Sequence, residues 1–379
     1  MFILFRILVF IAIGAAIFVP FNWVAIRLLR RIHPTWRRLI TILAIAGNLV
    51  WPLIPFLNKS TAWVRVPRSI LGPIWFSWTC FVVVYCALLL VLALAWIPFR
   101  RRRAFAAFAH TPSRAFLWLT IAGSIVGFYQ AIVPLRVEQV RIAMAGLPPE
   151  LEGRRLVLLG DLHVGLFTRR SRLEKIFATS RDLRPDAILL AGDSIDDDPY
   201  FIPKLLESMR VLPQTIPTIA VLGNHEMYGN PQAVIDRLRG SRIRLLVNEG
   251  AAIRGLWIAG VSDFAAAQVA PQLAPDLGRA LQGMPPNGVP IVLAHQPRVF
   301  EEVIRRRLPL ALAAHTHGGQ FGIRPLGWSL AGVFLPYHMG HYRREASQLY
   351  VNTGTGYWLV PFRLGMTPEI TLVELTRGG

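Results

Sequence analysis

The stretch Arg155-Leu-Val-Leu-Leu-Gly-Asp-Leu-His-Val-Gly165 decides how the second half of this chain folds, because an apolar run stops there at a carboxylate and an imidazole two residues apart. Residues 156–159 read as a buried strand, and Gly160 lets the chain leave the sheet. Asp161 and His163 then lie at the strand's carboxyl end, where open α/β sheets place ligands. Alone, Asp-x-His supports two readings, a hydrogen-bonded pair at a strand end or part of a metal site.

The rest of the chain repeats the device. Asp186-Ala-Ile-Leu-Leu-Ala191 runs into Gly192-Asp193-Ser-Ile-Asp196, and Thr218-Ile-Ala-Val-Leu222 into Gly223-Asn224-His225-Glu226. Ile291-Val-Leu-Ala-His295 and Leu310-Ala-Leu-Ala-Ala-His315-Thr-His317-Gly-Gly-Gln320 complete the set. Each piece has a bland reading: His295 as a satisfied core histidine, Asp196-Asp197-Asp198 as a solvated turn. Five apolar runs all ending in Asp, Asn or His are not a chance pattern; we read Asp196 as functional and Asp197 and Asp198 as solvated. Strands are expected at 155–160, 187–191, 217–222, 244–247, 256–261, 290–294, 309–314, 349–352 and 369–374. Helices are expected near 171–182, 201–210, 231–239 and 298–306. This alternation is that of an α/β fold with helices covering sheets.

Asp161, His163, Asp193, Asn224, His295, His315 and His317 offer imidazole nitrogens and carboxylate or amide oxygens. That set suits hard-to-borderline divalent cations such as Mn, Fe or Zn. Seven ligands exceed the need of one tetrahedral ion, and a carboxylate such as Asp193 can bridge two. A pair of divalent metal ions about 3.5–4 Å apart suits in-line displacement at phosphorus, because it generates hydroxide near neutral pH and clamps the transition-state oxygens.

The ordered set Asp161-x-His163, Gly192-Asp193-x-x-Asp196, Gly223-Asn224-His225-Glu226, His295 and His315-x-His317 resembles the calcineurin-like metallophosphoesterase signature, over about residues 154–375. His315-Thr-His317-Gly-Gly-Gln320 and the closing Pro368-Glu-Ile-Thr-Leu372 look most similar to bacterial membrane-associated phosphoesterases. The resemblance implies a four-layer α/β/β/α sandwich. It implies one ion on Asp161, His163, Asp193 and His317, and another on Asp193, Asn224, His295 and His315. It also implies that His225, not a ligand, protonates the leaving oxygen or stabilises the transferring phosphoryl group, with Asp196 orienting its ring. One departure stands out: Ala314 occupies a position where the family usually has Gly, which is tolerable if its φ is negative.

The first half reads differently. The chain is 53% hydrophobic, and residues 1–134 hold fourteen Lys/Arg with no Asp or Glu, so +14 of the net +19 lies there. Apolar stretches at 7–26, 39–57, 70–98 and 115–134 each approach or exceed the ~20 residues needed to cross a bilayer. A cleaved signal peptide is the rival reading of the first, given Arg6 and Gly14-Ala15-Ala16. We expect an all-α transmembrane anchor of four helices over 1–134 and a linker over 135–153 carrying Pro148-Pro149. The catalytic domain occupies 154–379. Positive charge between apolar segments is a topology signal, which argues against a nucleic-acid partner. The arginine-rich first and third loops place those loops in the cytoplasm and the catalytic domain outside a bacterial inner membrane. The two cysteines, Cys80 and Cys86, fall inside one span and cannot staple the soluble part.

The expected function is a membrane-anchored phosphoesterase cleaving a phosphoester or pyrophosphate bond through a metal-bridging hydroxide, with a lipid-linked substrate favoured by the anchor. Alternatives are a nuclease or cyclic-nucleotide phosphodiesterase, or a non-enzymatic membrane sensor. His338 and His341 are expected at the surface, and Arg343 and Arg344 in a solvated loop rather than on a substrate phosphate. The aromatic and apolar insertion at 321–348 that holds them reads either as ordinary packing against the sheet edge or as a cap touching lipid.

Overall fold

Near-continuous apolar runs bounded by Gly, Asp and His form short parallel strands here because strands covered on both faces have no need of polar residues. The computed structural model describes residues 23–50, 84–99 and 104–378, positions 25 and 86 apart. The stretch expected to span at 7–26 falls largely outside the described residues, as do about half of 70–98, part of 39–57 and Arg100–Arg103.

The chain divides into two units, Met1–Ile125 and Val126–Gly379. In the first, Leu29, Ile32, Tyr85, Leu89 and Ala109 form a small apolar cluster, beside which His33 Nε2 lies 3.0 Å from Ser113 Oγ. Helix Phe105–Ile132 starts ten residues before the expected span and runs through Pro112. Among the described residues, Ala107–Ile132 is the one helix long and apolar enough to cross a membrane. Trp118, Leu119 and Ile125 stand exposed along it.

In the second unit the strands run β1 (Arg136–Ala145), β2 (Arg155–Leu159), β3 (Ala187–Ala191), β4 (Thr218–Val221) and β5 (Ile243–Leu245). Then come β6 (Glu249–Ile253), β7 (Leu256–Gly260), β8 (Val289–Leu293), β9 (Leu310–Ala313) and the small hairpin β10 (Gly322–Ile323) and β11 (Trp328–Ser329). β12 (Gly340–Arg344), β13 (Ser347–Val351) and β14 (Glu369–Gly378) close the chain. One sheet has the order β1-β14-β2-β3-β4-β5, the other β12-β13-β9-β8-β7-β6.

Burial resolves four layers. Leu156, Leu158, Leu189 and Ile219 of the first sheet meet Ile258, Ile291, Leu310 and Leu312 of the second. The opposite face of the first sheet, Val157, Leu159, Ile188 and Leu190, packs under Leu173, Phe177, Leu205 and Val234 of its helices. The outer face of the second, Ala259, Val292 and Ala311, packs under Leu277, Phe300 and Val303. Burying each such Leu, Ile or Phe contributes about 1.5–3 kcal/mol, so alternate residues of one strand hold different layers together.

The structure corrects the linker. Residues 136–145 are not a connector but β1, paired in parallel with β14 from Arg136↔Glu369 to Ala145↔Gly378. Val140, Ile142 and Met144 turn inward at every second position. Arginines and Glu138 between them mask that alternation in the sequence.

Candidate metal centre

Strands β2, β3 and β4 are parallel neighbours, so the residues that follow them emerge on one edge: Asp161 and His163, then Asp193, then Asn224. β8 and β9 are parallel neighbours in the second sheet and deliver His295, His315 and His317. All seven expected ligands are brought together.

They form two overlapping groups. His317 Nε2 lies 3.6 Å from Asp161 Oδ1 and 3.1 Å from His163 Nε2. His295 Nε2 lies 3.1 Å from Asp193 Oδ2 and 3.0 Å from Asn224 Oδ1, and His315 Nδ1 is 3.0 Å from His295 Nε2. Asp193 Oδ2 also stands 3.7 Å from His163 Nε2, so it faces both groups.

The backbone is shaped around these contacts. Asp161, His163, Asp193, His315 and His317 all have left-handed backbones, with φ of 54°, 44°, 48°, 74° and 51°. Asp, Asn and His tolerate that region better than most residues, but each such position still costs of order 1 kcal/mol. Concentrating it on five candidate ligands is a mark of function. Gly192 is obligatory, since a Cβ there would stand 2.7 Å from His295 Nδ1 and 2.8 Å from the Gly223 backbone. Ala314 avoids the left-handed region, and its methyl fills the space that Gly160, lacking a Cβ, leaves open. The departure from Gly is thus accommodated.

Hydrogen bonds fix which ring nitrogens face inward. His295 Nδ1 is 2.8 Å from Ala191 O, which can only accept, so the Nε2 lone pair points into the cluster. His163 Nδ1 is held 3.1 Å from Asp196 Oδ1, freeing its Nε2 likewise. Inward lone pairs beside buried carboxylates and an amide oxygen are the donor chemistry of divalent cations, so the residues present fit such ions.

Charges in the cluster oppose one another across the two sheets. Burial raises the Asp161 carboxyl to about 6 against the pull of His295. For Asp193, burial is overcome by His295 and His225, which hold it well below the carboxylate range. Burial disfavours charge on His295, yet Asp193 lifts its pKa well above the usual value. Burial and that charged neighbour push His315 down to about 3, and burial with His163 and Arg363 lowers His317.

His225 is placed as expected, but its partner is not. Its Nδ1 lies 2.8 Å from Asp197 Oδ1. Asp196 instead orients His163. The ring of His225 stands perpendicular to that of His163 with centroids 4.6 Å apart. It also falls within ligand distance of Asp193 and His163. Burial disfavours the imidazolium, but Asp193 and Asp197 outweigh it and raise the pKa to about 9. Three consecutive aspartates carry no clue as to which one turns inward.

Other residues escaped the sequence. Glu226, fully buried, accepts from the backbone N–H groups of Asp193 (3.0 Å), Ile195 (3.1 Å) and Gly223 (2.7 Å), clamping two ligand loops with one carboxylate. Arg363, also buried, places Nη2 3.1 Å from His317 Nδ1 and donates to the carbonyls of Gly356, Thr353 and Met366. Asp263, after β7, accepts from Gln296 Nε2 at 3.0 Å; a sixth apolar run ending in an acid was its signal. His338, expected at the surface, is half-buried and links to Ser329 Oγ of the same insertion at 2.9 Å. Arg344 pairs with Glu301 and Tyr337, away from the cluster.

An α/β sandwich that pools carboxylate, amide and imidazole donors where its strands end has the architecture of a metal-dependent phosphoesterase. Residues 154–319 match the family described as calcineurin-like phosphoesterase, and this domain belongs to it. A Danio rerio "transmembrane protein with metallophosphoesterase domain" is 31% identical over 271 residues, 68% of this chain and 61% of that one. Its Bos taurus namesake is 31% identical over 279 residues, 70% and 62%. An uncharacterised Helicobacter pylori metallophosphoesterase is 29% identical over 250 residues, 66% of each chain. The chain thus spans about three fifths of the vertebrate relatives.

Proposed function

We propose that this protein is a membrane-anchored, dinuclear metal-dependent phosphoesterase that hydrolyses a phosphoester or pyrophosphate bond on a lipid-linked substrate. The observation that carries the reading is Asp193, whose buried carboxylate faces both ligand groups. Asp161, His163, Asp193 and His317 would hold one cation, and Asp193, Asn224, His295 and His315 the other. Bound there, two divalent ions supply Lewis acidity and acidify water toward neutral pH.

The chain's own residues supply the rest. His225, charged at neutral pH and partly exposed, donates a proton to the departing oxygen, and Asp197 holds the ring for that transfer. Asp196 keeps His163 in the tautomer that turns Nε2 inward. Glu226 keeps the Asp193 and Asn224 loops from separating when substrate enters. A multi-pass anchor and an extracytoplasmic site remain part of the reading. They rest on the apolar stretches and the charge pattern of the loops; the names of the vertebrate relatives support only a transmembrane segment.

A panel of aryl phosphomonoesters, phosphodiesters, pyrophosphates and lipid phosphoesters, offered to enzyme reconstituted with Mn, Fe or Zn, tests the proposal. Metal-dependent turnover of at least one class is expected. A chain that binds no metal and cleaves none of them would refute it.

A further inference from the structure

The segment after His317 holds an unusual surface. Between Phe321 and Pro336 the only charged side chain is Arg324, and it turns inward, 2.8 Å from Glu369 Oε2 and within hydrogen-bond reach of Thr353 Oγ1. What faces outward is apolar: Ile323 (51% exposed), Leu326 (74%), Trp328 (42%), Val333 (60%) and Phe334 (77%). Apolar exposure this dense in one excursion marks an interaction surface rather than ordinary solvent contact.

Its attachment identifies the occupant. The last turns of helix Phe105–Ile132, from Val126 on, belong to the same unit as the sheets and grip the loop that follows Trp358. Arg363 N donates to Gly127 O at 3.0 Å, Gly365 N donates to Gln130 Oε1 at 2.8 Å, and Phe128 meets Phe362 edge to face at 5.9 Å. The same loop carries the apolar excursion, through Leu364 N to Gln320 O (2.8 Å) and Gly322 N to Leu364 O (3.0 Å). One loop therefore joins the end of a helix apt to cross a bilayer, the uncharged surface and, through Arg363, His317 of the metal centre.

We infer that residues 321–335 are a membrane-dipping platform that seats the metal centre against the leaflet from which the helix emerges, so that an amphiphilic phosphoester is taken from the plane of the bilayer. This rests on the phosphoesterase reading for the substrate, but not for the surface. The uncharged face favours lipid tails and the headgroup boundary over a protein partner, whose interface would carry a polar rim.

The test uses the full chain, with Cys80 and Cys86 replaced by Ala, reconstituted in phosphatidylcholine–phosphatidylglycerol vesicles. A bimane probe at Phe334→Cys is compared with one at Gln232→Cys, which is exposed on helix Pro231–Arg239. Nitroxide-bearing lipid should quench the first strongly and the second little. Equal quenching overturns the platform, and so does a Phe334 probe that is shielded without quenching, because a second copy or another part of the chain then covers the patch. In parallel, Leu326→Asp with Phe334→Asp should lower turnover of a vesicle-borne lipid phosphoester about tenfold, equivalent to ~1.4 kcal/mol. Turnover of a soluble aryl phosphodiester should stay unchanged; an equal fall on both substrates overturns the proposal. Wild-type chain that cleaves neither substrate overturns the phosphoesterase reading alone, while quenching still decides the surface.

Discussion

The two sheets meet the candidate metal centre with different chemistry. The first contributes Asp161, Asp193 and Asn224 with a single imidazole, His163; the second contributes only imidazoles, His295, His315 and His317. Their supports differ in the same sense. The first sheet's loops are clamped by a carboxylate, Glu226, accepting from backbone N–H groups. A guanidinium, Arg363, braces the second beneath His317. Negative charge thus enters from one side and imidazoles from the other, His315 and His317 held neutral by burial and His295 held protonated by Asp193 until a cation displaces the proton. The two sides are not interchangeable.

This asymmetry ranks the consequences of mutation. Removing the shared negative charge should cost most: Asp193→Asn should lower kcat/KM by at least about a thousandfold, the upper range for one preorganised electrostatic group, with metal content falling in parallel. Retention of metal content and of rate would erase the distinction between the sheets. Next comes His225→Ala, expected to slow turnover about a hundredfold, within the usual contribution of a general acid, while elemental analysis finds the metals still bound. The neighbouring aspartates sharpen the picture further. Asp196→Asn should weaken metal affinity about tenfold through His163, whereas Asp197→Asn should lower kcat and leave affinity intact; the reverse pattern would restore the partnership expected from sequence.

Glu226→Gln trades an acceptor for an amide that cannot satisfy all three backbone donors, at about 1–3 kcal/mol for the buried group left unpaired. Thermal unfolding of the metal-free protein would report it. Arg344→Ala should be the smallest effect, with no measurable change in Tm, because its ion pair with Glu301 lies in solvent.

How much of this was legible beforehand follows from what each residue answers to. The interior strands and the gathering of seven candidate ligands at their ends could be read because both faces of those strands are buried, so each apolar run ends where the sheet ends. β1 could not, since an edge strand keeps polar residues outward and shows only Val140, Ile142 and Met144 at alternate positions. The exchange between Asp196 and Asp197 was hidden because adjacent side chains of identical chemistry are separated only by local backbone direction. Arg363 was hidden for the opposite reason: it lies 46 residues beyond His317, and nothing local announces a buried guanidinium.

The order β1-β14-β2 also governs how the molecule can be made. β1 follows directly on the helix ending at Ile132, yet its partner in the sheet is the chain's closing strand. Some 220 residues must leave the ribosome before β1 has anything to pair with. Synthesis at about 5–20 residues per second makes that a wait of ten seconds or more. During that interval the first sheet is unfinished at the edge that β1 will occupy. Deleting the stretch from Glu369 onward should therefore leave β1 protease-sensitive, however well the interior strands assemble.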